Sequence, residues 1–327
     1  MRDPLPPVVL ETVLDDPGLV GRLARTNAPY FPVQRYFATA VEMNALSDTR
    51  QGDRGTMVVG PVFRGDWAYD APLVDGLEPI FENPRLAAAA TRLFEATIVR
   101  PQMVYANLSL PMLCGDGGHT DIPAFRGIDR TRFPVWLLVT MGRSGLFERW
   151  RVTIATAVAW FYEGDGGGFT YWPDGPDAAP RTRPAATNTA VVGDNDVMFH
   201  RVESIGGPDD EMARGLTLES QLRPSGPRGW DVVEGNRVLG SYTDRQLRIS
   251  VSWKAQVFAD DAAARAYDEH SDDLDLPRAL AAFRDDFAAR GATLVVPDEP
   301  LHDADFVRTL TRAYHVAPTV YPWGPVS

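Results

Sequence analysis

Two kinds of hydrophobic patterning divide this chain. From about residue 98 to residue 258 the apolar positions fall in short β-branched and aromatic runs: Ile98–Leu110, Val135–Met141, Val152–Tyr162, Thr189–Val192, Asp196–Glu203 and Gln246–Phe258. Turn-forming clusters separate them, among them Cys114-Gly115-Asp116-Gly117-Gly118, Glu163–Gly168, Pro173–Pro176 and Gly193-Asp194-Asn195-Asp196. Short strands punctuated in this way predict an antiparallel barrel or jelly roll. The continuous apolar runs Val135–Met141 and Ala155–Tyr162 read as buried strands, too short to span a bilayer.

On either side the spacing is helical. Pro84 followed by Arg85–Glu95 predicts a helix, with Leu86, Ala90, Leu93 and Phe94 on one face. Asp261–Tyr267, Leu276–Arg290 and Ala304–Tyr314 predict three more, while Gly52–Asp75 reads as an irregular loop. Residues 206–245 stand as an insertion between two core strands, with a hairpin over Asp231–Tyr242 turning at Glu234-Gly235-Asn236. The expected organisation is one structural domain, mainly β with flanking helices. Residues 1–97 are a helix and loop region packing on the barrel, 98–260 the β core carrying the 206–245 insertion, and 261–327 a helical end.

Composition narrows the functional classes. The net charge of −12, with no basic run, argues against nucleic acid as a partner. The start of the chain lacks an apolar signal segment, and the single cysteine excludes both an intrachain disulfide and a cysteine-based zinc site. A cytoplasmic location and no membrane association are expected.

Candidate chemistry begins at His119-Thr120-Asp121. Alternation along a β-segment points His119 and Asp121 to one side and Thr120 to the other. His200 lies on a later strand after a tight turn, far enough along for intervening strands to bring it back. Two histidines and one carboxylate can hold one face of an octahedral metal and leave the opposite face open, the pattern of non-haem Fe(II) oxygenases. The same three ligands could hold zinc and activate water. His270-Ser271-Asp272 repeats the spacing, but acidic residues and Ala-rich helices surround it, so it reads as a solvated loop; His302 and His315 also lack a strand context.

The last core strand places Arg248, Ser250, Ser252 and Lys254 on one face and Leu247, Ile249, Val251 and Trp253 on the other. An arginine facing a barrel interior needs an anionic partner. Arg248 with Ser250 can clamp a carboxylate such as the far end of 2-oxoglutarate, with Lys254 as a lesser candidate.

His119-x-Asp121, His200 and Arg248-x-Ser250, taken in order, resemble the Fe(II)/2-oxoglutarate-dependent dioxygenase superfamily with its double-stranded β-helix, the cupin-like jelly roll. Asn107-Leu108-Ser109-Leu110-Pro111 is similar to that superfamily's approach to the metal motif. Glu163–Thr170 is similar to the Gly-Gly-x-Phe turn of its prolyl-hydroxylase-like and phytanoyl-type members. The resemblance spans about residues 98–258, and residues 206–245 depart from it by lengthening the interval before Arg248, where they could form a lid. It implies Fe(II) on His119, Asp121 and His200, and 2-oxoglutarate on Arg248 and Ser250 with Asn107 at its C1 end. Tyr105, on the same strand face, would line the substrate pocket. Trp172, with Trp160, Tyr162 and Tyr171, could form an aromatic substrate wall or pack as core, the commoner place for aromatics on strands.

The implied reaction is an O₂-dependent oxidative decarboxylation of 2-oxoglutarate to succinate, coupled to C–H hydroxylation, desaturation or cyclisation. The expected substrate is a small molecule such as an amino-acid derivative or a natural-product intermediate. A zinc or other metal enzyme, or a non-catalytic binding protein on the same barrel, is the alternative reading.

Overall fold

Strand alternation builds a sheet with two unlike faces. The structure, a computed structural model, describes residues 1–36, 58–113 and 117–319; Cys114 and residues 52–57 of the expected Gly52–Asp75 loop lie outside the described residues. In chain order the strands are β1 (Val8–Leu10), β2 (Phe31–Pro32), β3 (Val62–Tyr69), β4 (Ala71–Pro72), β5 (Ile98–Ser109), β6 (Ala124–Phe125), β7 (Arg151–Val152) and β8 (Ile154–Phe161). Then follow β9 (Phe169–Tyr171), β10 (Arg181–Arg183), β11 (Thr189–Gly193), β12 (His200–Val202), β13 (Gln221–Ser225), β14 (Gly229–Glu234), β15 (Arg237–Thr243) and β16 (Arg248–Phe258). The helices are α1 (Gly18–Thr26), α2 (Glu78–Phe81), α3 (Pro84–Phe94), α4 (Val135–Ser144), α5 (Asp261–Asp268), α6 (Leu276–Ala289) and α7 (Ala304–Ala313).

The large sheet runs β1-β11-β8-β16-β5-β3-β2, with β4 on β3, and its pairings are antiparallel. A small sheet runs β10-β9-β12, and an isolated bridge between His119 and His200 adds the His119 segment beside β12. Along the chain, β5 lies in the large sheet, the His119 segment in the small, β8 in the large, β9 and β10 in the small, β11 in the large, β12 in the small and β16 in the large. This alternation, with large-sheet order β11-β8-β16-β5, is jelly-roll connectivity.

Period-two alternation sorts the side chains of the large sheet. Val104, Ala106, Leu108, Ala155, Ala157, Ala159, Val251 and Trp253 face outward into the main apolar core, which α3 also covers. Asn83 caps α3, accepting hydrogen bonds from the Arg85 and Leu86 amides at 3.0 Å. The inner face is divided. On the β8 and β11 side it is apolar, with Trp160 and Val191 packed on Phe169, Tyr171 and Met198. On the β16, β5 and β3 side it carries Arg248, Ser250, Ser252, Lys254, Tyr105, Asn107 and Arg64, aligned by strand register.

Four expectations change. Val135–Met141 is not a strand but the first part of α4. It is buried on every side, against Phe283 and Leu310 among others, so its uninterrupted apolar run carries no helical period. Pro134 before it and Gly145 in the left-handed region after it (φ 71°) are the helix punctuation that distinguishes it. The region before residue 97 is not only helix and loop, because β3 within the expected loop joins the large sheet as an eight-residue strand. Of Asp196–Glu203, only His200–Val202 is strand. The insertion forms the expected hairpin as β14 and β15, and β13 extends it to three strands. Leu222, Trp230 and Val232 of this sheet join the outer core, and Leu222 exchanges backbone hydrogen bonds with Tyr30. It is thus anchored outside the barrel rather than as a lid over His119. Among the described residues no helix is long and apolar enough to cross a membrane.

Candidate metal centre

His119 and His200 are brought together by the backbone. Each donates its amide to the other's carbonyl at 2.9 Å, so the pair is directly opposed and both side chains leave the same face. The imidazole centroids are 4.7 Å apart. Asp121 lies two positions beyond His119, and its amide is fixed by the Asn195 carbonyl at 2.8 Å. The Asp121 Oδ1 stands 3.7 Å from His200 Nε2.

The tautomer of His200 follows from its other nitrogen. Nδ1 lies 3.0 Å from the Met198 carbonyl, an acceptor only, so Nδ1 carries the proton and Nε2 keeps its lone pair toward Asp121. Burial, with the neighbouring His119, depresses the His200 pKa to about 4, which keeps the ring neutral, as a metal ligand must be. Burial alone would raise the Asp121 pKa, but Lys254, then His200 and His119, hold it well below the usual carboxylate range.

Lys254 Nζ donates to Asp121 Oδ2 at 2.8 Å and Thr156 Oγ1 donates to the same oxygen at 3.3 Å. Lys254 is the chain's only lysine. Burial opposes its charge, but Asp121 keeps it firmly protonated. Asp196 lies nearby, buried, with neither carboxylate oxygen hydrogen-bonded among the described residues. Burial pushes its pKa up to about 7 against the pull of Lys254. In the sequence Asp196 carries no signal beyond that of a turn aspartate.

By type, two imidazoles and one carboxylate are donors that a divalent cation takes. Two cis donors on an octahedral ion stand about 3 Å apart, from bond lengths of about 2.1 Å. The 3.7 Å between Asp121 Oδ1 and His200 Nε2 is wider, and among the described residues no group of three or more His, Cys, Asp or Glu is placed so that it could hold a metal ion. His270 is exposed and pairs with Asp273, while Asp272 pairs with Arg126; that second motif faces solvent.

The other expected residues lie on the divided inner face. Arg248 is 1% exposed; its Nε donates to the Gly167 carbonyl at 2.7 Å and its Nη1 to Ser250 Oγ at 3.2 Å. Gly167, with φ +68°, allows this approach. Asn107 is opposite Ser250, and Tyr105 opposite Ser252. Trp172 is fully buried, packed against Gly118, and Trp160, Tyr162 and Tyr171 belong to the barrel's packed interior. The aromatic wall is therefore core, and Tyr105 remains as the partly exposed aromatic. Arg64 escapes a reading of the sequence because β3 reads as loop; in the fold it faces inward opposite Asn107.

No family model matches the chain, and no curated protein does. Solved structures do resemble it. A 2OG-Fe(II) oxygenase family oxidoreductase from Burkholderia pseudomallei aligns at 12% identity and TM-score 0.39, covering 77% of this chain and 84% of that one. A Pseudomonas putida prolyl-4-hydroxylase aligns at 11% identity and TM-score 0.34, over 77% and 92%. A structure of Phytophthora capsici prolyl 4-hydroxylases aligns at 14% identity and TM-score 0.29, over 60% and 48%.

Proposed function

We propose that the protein is an Fe(II)- and 2-oxoglutarate-dependent oxygenase acting on a small molecule. The observation that carries this reading is the His119–His200 backbone pair, with Asp121 beside it, set against a sheet face that presents Arg248 and Ser250. A neutral histidine pair with one carboxylate leaves a divalent cation positively charged and open on one side. A buried guanidinium on the same inner face supplies an anchor for an anionic chelator.

In this reading His119, Asp121 and His200 would hold the iron, and Arg248 with Ser250 would receive the distal carboxylate of 2-oxoglutarate. Asn107, opposite Ser250 on the neighbouring strand, would meet its C1 end. Bound iron would couple the four-electron reduction of O₂ to oxidative decarboxylation of 2-oxoglutarate and two-electron oxidation of a substrate C–H bond. The chain's own contributions are orientation and exclusion of water. Thr156 and Lys254 hold Asp121 Oδ2, so Oδ1 is left to face the histidines. The Met198 carbonyl fixes the His200 ring. The apolar half of the inner face closes the barrel behind them.

Hydroxylation is the default outcome. Succinate release from 2-oxoglutarate under air, dependent on Fe(II) and lost in Asp121→Ala, tests the proposal. Retained activity with Zn(II) and no succinate would replace it with a hydrolytic metal enzyme.

A further inference from the structure

Arg248, Lys254 and Arg64 stand on the inner face of the large sheet on the side of the metal centre, and the first two already have roles. Arg248, set against Gly167 and Ser250, is the residue assigned above to 2-oxoglutarate, and Lys254 is held by Asp121. Arg64, on β3, is arranged differently. Its guanidinium carbon lies 3.7 Å from the centroid of the Tyr105 ring and 4.8 Å from that of Tyr36. Its Nε donates to Asp66 Oδ1 at 2.9 Å. Among the described residues its Nη groups donate to no acceptor, although the side chain is only 14% exposed.

These contacts fix a plane and leave an edge. Stacking on Tyr105 and the single bond through Nε determine how the guanidinium lies, and the Nη hydrogens remain as a fork that matches a carboxylate. The position is also set. Strand register puts Arg64, Asn107 and Ser250 in one row across three strands. Tyr105 is opposite Ser252, the inward-facing residue next to Lys254 on β16, and Lys254 touches Asp121. The ring under Arg64 thus reaches toward the metal centre. In a chain of net charge −12, an anionic small molecule gains little from the overall field and needs such a local anchor.

We infer that Arg64 is a specificity-determining residue that receives a carboxylate of the primary substrate, laying the rest of the molecule along Tyr105 toward the metal. The inference rests on the oxygenase reading and narrows its substrate class to carboxylate-bearing small molecules.

The test uses the Fe(II)-loaded protein at saturating 2-oxoglutarate. The probes are a series of free amino acids and aliphatic carboxylic acids, each paired with its primary amide, and the readouts are succinate release and ligand-induced change in melting temperature. The expected result is that acids act and their amides do not. In Arg64→Gln, the half-saturating concentration of an active acid should rise at least tenfold, while that of 2-oxoglutarate stays within twofold. Arg64→Lys, which keeps charge without the fork, should fall between, and the variants' melting temperatures without ligand separate loss of the fold from loss of the anchor. Amides acting as well as acids, Arg64→Gln responding as wild type, or no acid acting would overturn the inference. A rise in half-saturation for 2-oxoglutarate in Arg64→Gln would also overturn it, making Arg64 the co-substrate clamp with the oxygenase reading intact. Failure of the wild type to bind 2-oxoglutarate anaerobically with Fe(II) would remove both.

Discussion

His119 and His200 face each other across a bridge in which each amide donates to the other's carbonyl at 2.9 Å. Their convergence is built from main chain, so it does not depend on the imidazoles. His119→Ala should therefore fold and melt close to wild type while losing high-affinity Co(II) uptake. Asp121→Ala should lose it too, at a larger stability cost because Lys254 is left unpartnered in a buried site. Titration followed by the Co(II) visible spectrum reads the first effect and thermal denaturation the second. Wild-type Co(II) affinity in both variants would remove the metal site.

The Lys254–Asp121 pair bridges the two sheets at 2.8 Å, with both side chains largely buried. Removing one member of a buried pair strands the other charge, at a cost of about 3–5 kcal/mol. Lys254→Met should lower the unfolding free energy by that order in urea. The double variant Lys254→Met with Asp121→Asn should lose less than the sum of the two single changes. Additive losses would mean that the pair does not interact.

Gly167 presents its carbonyl to Arg248 with φ +68°. A methyl there would stand 2.6 Å from Arg248 Cδ and 3.0 Å from its Nε. Gly167→Ala should displace the guanidinium and raise the half-saturating concentration of 2-oxoglutarate several-fold, with metal uptake unchanged. Arg248→Ala should do the same more strongly. An unchanged 2-oxoglutarate response in Arg248→Ala would move the clamp to another cation of the inner face.

Asp196 introduces a pH dependence. Its folded pKa, raised by burial to about 7, lies above its unfolded value of about 3.9. The stability it contributes is full below the unfolded value and is lost as pH rises through the folded one. A difference of one pKa unit between folded and unfolded protein corresponds to about 1.4 kcal/mol, and Asp196→Asn removes the titration altogether. The variant should gain stability relative to wild type as pH is raised from about 5 to about 8, by a few kcal/mol at most. Denaturation midpoints at both pH values decide it; an advantage independent of pH would assign the effect to packing.

The jelly roll is legible where one face of a strand differs from the other. Arg248 to Lys254 alternates cleanly because the outer core and the inner face make opposite demands. Alternation carries no information where both sides are apolar, which is why α4 reads as a strand; Pro134 and Gly145 hold the missing signal. The His-x-Asp spacing brings two candidate ligands forward directly, and His200 is recoverable from its strand. The partners that control these ligands are not. Lys254 reaches Asp121 from 133 positions away, Arg64 depends on a strand that reads as loop, and Asp196 is notable only for its burial. Trp172 and its aromatic neighbours are indistinguishable in sequence from a substrate wall, since core and wall use the same residues.

The most direct test is anaerobic addition of 2-oxoglutarate to the Fe(II)-reconstituted protein, followed by visible absorption. The account predicts a charge-transfer band that saturates at one equivalent, is absent in Asp121→Ala, and requires much more 2-oxoglutarate in Arg248→Ala. No band in the wild type, with Fe(II) demonstrably bound, would contradict it.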